Sequence, residues 1–310
     1  MNARWFTYLF GSLLTIGFVS CEKESDFRPT ESDQRVVVQS NFVADELLSV
    51  FVSRSENLFL PDTAYIAISN ARVEVFSNDR LLEKLIFTTN ANGLFYQSRE
   101  FRPRINVPYQ LRVTAPGLEP VVSESRIPGP VELLEARARD VVVQSIPESP
   151  DLQYNFTVDL AFSDPIDAEN FYHLLFFQRK LVIEEGDEEP SIRIEQRPFL
   201  INTINNNNSF KPYYRGGILI NDANSNGRTY NYSFRFGIRL QQPNEIMDQF
   251  IVELRTTSDE YFQFHNSLNN LNNGSGEPFS ESAIVFNNIE AGYGIFAGYS
   301  RVVDSLTVVE

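Results

Sequence analysis

The sequence predicts a mainly β protein: a small antiparallel sandwich, then a larger antiparallel β domain, sandwich or barrel, carrying one helix near residues 259–271. Three observations support this. Leu152, Tyr154, Phe156, Val158, Leu160 and Phe162 alternate with polar or small residues, and Tyr230, Tyr232, Phe234, Phe236, Ile238 and Leu240 do the same. That is the period of a strand with one buried and one solvated face. Aromatic residues form 13% of the chain, a share that favours strands. The long period-two runs also point away from a parallel α/β enzyme fold.

The first element is a leader. Met1-Asn2-Ala3-Arg4 precedes an apolar run from Trp5 to Val19, then Ser20 and Cys21. A short charged region, an apolar stretch of about 15 residues and a small residue before cleavage describe a signal peptide over residues 1–20; a spanning helix needs about 20 apolar residues. Cys21 is the only cysteine, so no disulfide forms within the chain, and it stands where lipoprotein processing leaves a lipid-bearing first residue. Phe18 occupies a position where leucine is usual. Two acyl chains on Cys21 suffice for stable membrane attachment. Glu22, Glu24 and Asp26 then form an acidic tether over residues 21–34, similar to the signal that exports lipoproteins to the cell surface.

Residues 35–126 are expected to form the small sandwich, with strands at Val36 to Val38, Leu47 to Val52, Tyr65 to Phe76, Leu94 to Tyr96 and Tyr109 to Val113. Ala71, Val73 and Val75 with Tyr109, Leu111 and Val113 resemble the paired strands of carboxypeptidase-regulatory, transthyretin-like (Ig-like) modules. Ile127-Pro128-Gly129-Pro130 reads as a stiff linker over 127–130. The larger domain then occupies 131–310. Ser258 caps its helix, Asp259 and Glu260 suit the positive end, and Tyr261, Phe264, His265, Leu268 and Leu271 share one face. Asn272-Asn273-Gly274 ends it. The tail from Ser282 to Val309 reads as strand patches separated by glycines.

A net charge of −15 argues against nucleic acid as a partner and against attachment to anionic bilayers through a basic patch. The two histidines, His173 and His265, lie far apart in sequence without ligand spacing, which points to structural roles and to no metal centre or other cofactor. No serine sits in a nucleophile-elbow motif, so no catalytic residue is assigned. Asp222-Ala223-Asn224-Ser225-Asn226-Gly227 matches the first half of a calcium loop, with Asp222, Asn224 and Asn226 as ligand candidates. Its twelfth position is Ser233 where a bidentate glutamate belongs, and a hairpin turn ending in Asn-Gly explains the same residues; the turn is the reading carried forward. Glu184 to Glu189 reads as a solvated hairpin tip. The asparagines of 202–208 and 266–273 suit either sugar or peptide hydrogen bonding or ordinary loop and helix-end roles.

Tyr261-Phe262, Gly276-Glu277-Pro278-Phe279, Asn287-Asn288-Ile289 and Gly292-Tyr293-Gly294-Ile295-Phe296 resemble the family catalogued as domain of unknown function 4249. The likeness covers nearly all of the mature chain, Cys21 and the Val36 strand included. It implies a Bacteroidota outer-membrane lipoprotein encoded beside a TonB-dependent receptor, facing the cell exterior, with no catalytic residues to transfer. The expected role is a non-enzymatic accessory or binding subunit of that transporter, capturing or retaining a nutrient whose identity is open. The alternatives are an adhesin or assembly component and, from a third class, a surface hydrolase using His173 or His265.

Overall fold

The computed structural model describes residues 34–55, 67–90, 93–166, 168–184, 190–201, 210–223, 226–274 and 284–308. Cys21, Glu22, Glu24, Asp26, Asn224, the Gly276 to Phe279 turn and the runs 185–189 and 202–208 lie outside them.

The first half comprises β1 (Val36–Val43), β2 (Ser49–Arg54), β3 (Arg72–Ser77), β4 (Arg80–Lys84), β5 (Ile86–Asn90), β6 (Gly93–Gln97), β7 (Pro108–Thr114) and β8 (Val121–Arg126). There follow β9 (Leu133–Ser145), β10 (Leu152–Ser163), β11 (Phe171–Glu184), β12 (Ser191–Pro198), β13 (Phe210–Pro212), β14 (Ile218–Asn221), β15 (Thr229–Leu240) and β16 (Glu245–Thr257). Helix α1 (Asp259–Gly274) and β17 (Tyr293–Leu306) complete the chain. The helix includes the Asn-Asn-Gly that was expected to stop it, a shift of one turn at a frayed end.

A ten-stranded sheet, in the order β13-β14-β11-β16-β17-β1-β2-β6-β5 with β12 added beside β11, runs through the molecule. Two smaller sheets, β4-β3-β7-β8 and β15-β10-β9, complete two cores, and no closed barrel forms among the described residues. The first core is mostly aliphatic: Val38, Val50, Val73, Val75, Leu111 and Val113 are buried. The paired motifs read in sequence meet there, Val73 opposite Val113 and Val75 opposite Leu111. The second core is aromatic. Phe156, Phe162, Tyr172, Phe176, Tyr230, Phe236 and Phe250 interlock, with Phe236 and Phe250 centroids 4.6 Å apart and Phe162 stacked on Tyr230 at 4.8 Å. Full burial of each such side chain stabilises by about 1.5–3 kcal/mol.

Strand β17 joins the cores. Its first half pairs in parallel with β1, from Val37 opposite Tyr293 to Val43 opposite Tyr299, and its second half pairs antiparallel with β16. On one side of this strand Phe296 enters the aliphatic core and Leu306 the aromatic one. On the other side Ile295, Ala297 and Tyr299 pack beneath α1. Within the tail, Tyr293–Leu306 is one unbroken strand, and Gly294 and Gly298 do not divide it as the sequence suggested. Gly294 has φ +113°, and a Cβ there would stand 1.9 Å from the Val38 carbonyl oxygen, so only glycine lets β1 approach.

Candidate functional site

Alternation in β11 sends Tyr172, Leu174 and Phe176 into the aromatic core and turns His173 to the opposite face, beneath α1. One helical turn separates Tyr261 from His265, so both project onto the same sheet face. The structure thus brings together the two histidines, with ring centroids 6.3 Å apart. Arg255 Nη1 donates to the Tyr261 hydroxyl (3.0 Å), which donates to His173 Nδ1 (2.9 Å), while His173 Nε2–H donates to the Gly216 carbonyl (3.1 Å). Asn41 Nδ2 donates to His265 Nε2 (3.1 Å), leaving Nδ1–H to donate to the Tyr213 hydroxyl (2.8 Å).

His173 is 2% exposed and His265 7%, and every ring nitrogen is engaged. Burial, reinforced by the Arg255 charge, holds the His173 imidazolium form well below its ordinary pKa. The same causes take His265 down to about 3. Both rings are neutral near pH 7. They serve as a polar latch between helix and sheet, with no ring nitrogen facing solvent. Sequence reasoning assigned each a structural role but did not foresee that they meet.

The solvent-facing candidate lies at the other end of this helix. A groove of about 450 Å3 sits where the first core meets the second, walled by the connector Pro128 to Val131, by Asn106 and Arg126, by Glu169 and Asn170, and by Asp259 and Glu260. Its geometry follows from local chemistry. The Tyr261 N–H donates to Ser258 Oγ (3.3 Å), the expected cap, and the Ser258 N–H donates to the Gly298 carbonyl (2.9 Å), so the acidic first turn is pinned against β17. Ser125 Oγ donates to Glu260 Oε2 (3.1 Å) from the first core, and the Val131 N–H donates to Thr256 Oγ1 (3.2 Å) from the second. Arg126 is exposed and has no ion-pair partner among the described residues. One cation, three carboxylates and two amides thus converge on a rigid Pro-Gly-Pro wall, an arrangement suited to a small hydroxylated or cationic ligand. A more open recess of about 590 Å3 lies on the first core beside Phe101, Arg102, Arg104 and Tyr109.

Asp222, from the calcium-loop motif, stands behind the groove wall. It is 1% exposed, and its Oδ2 accepts the Asn170 N–H (2.8 Å) and the Asn170 amide (3.4 Å). Burial pushes its carboxyl up, against the pull of the Asn170 N–H. Asn226 is exposed in the turn before β15, and Ser233, at the motif's last position, donates to Asp159 Oδ1 (2.6 Å). The nearby Asp164 accepts from the Tyr172 hydroxyl and from the Gly227 N–H (2.7 Å). The described part of this turn therefore braces Asn170, and the signal that marks the groove is the Pro-Gly-Pro connector beside an acidic helix start. Glu169, Asn170 and Asn106 carried no motif, and the structure adds them.

A family profile described as Domain of unknown function (DUF4249) matches residues 22–304. The chain belongs to this family. No curated protein matches the chain. In this DUF4249 member the described residues among those that carried the resemblance are architectural. The Asn288 side chain bridges Phe296 as a strand would, accepting its N–H (3.0 Å) and donating to its carbonyl (2.8 Å). Asn287 ties Ile289 to Gly292, and Tyr261 and Phe262 seat α1 on the sheet.

Proposed function

We propose that this protein is a lipid-anchored, surface-facing outer-membrane subunit that captures a small polar nutrient, without chemical turnover, for a TonB-dependent transporter. The groove at the meeting of the two cores carries the reading: it is open to solvent, rigidly walled and lined by Arg126, Glu169, Asn170, Asp259 and Glu260. Attachment through Cys21 and surface display through Glu22, Glu24 and Asp26 rest on the leader and tether in the sequence. The transporter as partner rests on the family resemblance. Support for a binding rather than a catalytic role comes from the histidines, whose ring nitrogens are all engaged beneath α1.

Purification of the tagged, full-length protein from its membranes tests the reading. A β-barrel receptor in stoichiometric amount is the expected companion, and its repeated absence under gentle detergent overturns the partnership. Glu169→Trp, which fills the groove from an exposed position, should remove a retained small molecule seen by native mass spectrometry while leaving the receptor bound. Equal retention by Glu169→Trp and the parent places the ligand elsewhere.

A further inference from the structure

Strand β12 is an edge. It pairs with β11 alone among the described strands, and Ile192 and Ile194 are 69% and 64% exposed on it. Exposed aliphatic side chains on an unpaired edge are what folded proteins ordinarily avoid. Ile192 stands opposite Ile183, Ile194 opposite Leu181, and Leu181 opposite Ile246, which is 47% exposed on β16. The five form one aliphatic strip running to the edge.

The backbone parity of that edge is fixed. The Phe199 N–H donates to the Phe176 carbonyl (2.8 Å), and the Ile183 N–H donates to the Asn244 carbonyl (2.8 Å) on the opposite side of β11. Even-numbered residues of β11 therefore turn their peptide groups to β12, and their direct partners on β12 are the odd ones. The N–H and C=O groups of Ile192, Ile194 and Gln196 point outward. Pro198, which has no N–H, ends the strand, as suits an edge.

We infer that β12 is a dimerisation edge, on which a second copy of this chain pairs antiparallel with Ile194 on the twofold axis. Charge selects this register. With Ile194 opposite itself, Ile192 faces Gln196, and Arg193 faces Glu195 of the partner subunit, twice by symmetry. Moving the axis by one residue to Glu195 sets glutamate against glutamate and Arg193 against Arg197. Moving it to Arg193 sets arginine against arginine. An axis at Gln196 restores opposite charges but places Ile194 against Pro198, which cannot donate. Only the Ile194 register uses all three outward-facing residues as hydrogen-bonding pairs. On the other face of this edge the charges of the described residues are balanced within one chain, Lys180, Arg193 and Arg197 against Glu184, Glu195 and Glu245. Pairing also joins the two aliphatic strips about the axis, which gives Ile194 an apolar neighbour.

Cross-linking of the full-length, lipidated protein in its membranes tests the register. Ile194→Cys should form a disulfide-linked species of doubled mass under mild oxidation, since hydrogen-bonded partners across antiparallel strands stand about 5.5 Å apart at Cα. Gln196→Cys should not, because its counterpart is Ile192. Mixed Ile192→Cys and Gln196→Cys chains should link to each other. Arg193→Glu, which sets acid against acid in two places, should weaken the dimer measured by analytical ultracentrifugation in detergent by about tenfold or more. Equal linking at 194 and 196, a monomer at all concentrations with thermal unfolding intact, or a 194 cross-link to a different protein in place of the dimer would each overturn the inference.

Discussion

One face of the long sheet is finished in two ways. Beneath α1 the sheet offers His173, Arg255, Tyr299 and Asn41, and the helix answers each with a partner: the Tyr261 hydroxyl lies between Arg255 and His173, the Tyr261 ring lies 5.6 Å from that of Tyr299, and His265 accepts from Asn41. Further along β11 the same face offers Leu181 and Ile183, and no helix covers them among the described residues. The covered end is polar and saturated, whereas the open end is aliphatic, half-buried at Leu181 and Ile183 and exposed at Ile192, Ile194 and Ile246. Burial of polar groups is tolerated only when every hydrogen bond is made, so a covering helix must be specified atom by atom. An aliphatic strip requires nothing so exact and can await a partner.

Acid should separate the two ends most strongly. In the unfolded chain each histidine takes up a proton below about pH 6.5, whereas in the fold His265 resists protonation to about 3 and His173 is also held low. The unfolded state therefore binds more protons over this window, and stability falls as pH drops from 6.5, by roughly 1 kcal/mol per histidine for each pH unit. Urea titrations from pH 7 down to about 4.5 should show a loss of several kcal/mol, smaller in His265→Gln by one proton's dependence. A flat profile would mean that the latch is open to water.

Arg255→Met should come next, at about 3 kcal/mol by chemical denaturation, because it leaves the buried Glu253 without the Nε donor 2.6 Å away. Tyr261→Phe removes the hydroxyl linking Arg255 to His173 and should cost about 2 kcal/mol, with α1 amides exchanging faster than those of β10. At the open end Ile246→Thr should change monomer stability by less than about 0.5 kcal/mol. A large loss there would show that the strip is packed in the monomer, and the contrast would fail.

Legibility in the sequence follows the range of the interaction. The faces of β10 and β15 were evident because alternation is local, and the helix was evident from Ser258, its acidic first turn and the spacing of Tyr261, Phe264 and Leu268. Strand β16 escaped notice because a bulge at Asp248, where Arg179 and Lys180 skip from Gln249 to Met247, breaks its period-two pattern. Strand β9 is a largely solvated edge whose Glu135, Arg137, Arg139 and Asp140 leave little apolar alternation. The meeting of His173 with His265, and of β1 with β17, depends on register between distant segments. In the groove, Asn106 takes φ +60° beside Ile127, a conformation with no sequence motif, so the connector was visible as a linker and its role as a wall was not.

The pairing of Val37 with Tyr293 has a further consequence in time. A chain that emerges from its N-terminus presents β1 at the start and must wait for almost the whole remaining sequence before the strand beside it arrives. Until then Val36, Val38 and Phe42 lack Phe296, which stacks on Phe42 with centroids 4.5 Å apart, and the aliphatic core stays unclosed. Such long sequence separation slows folding. For the exported protein proposed above, that delay keeps the polypeptide pliable during passage, and the arrival of β17 closes both halves together.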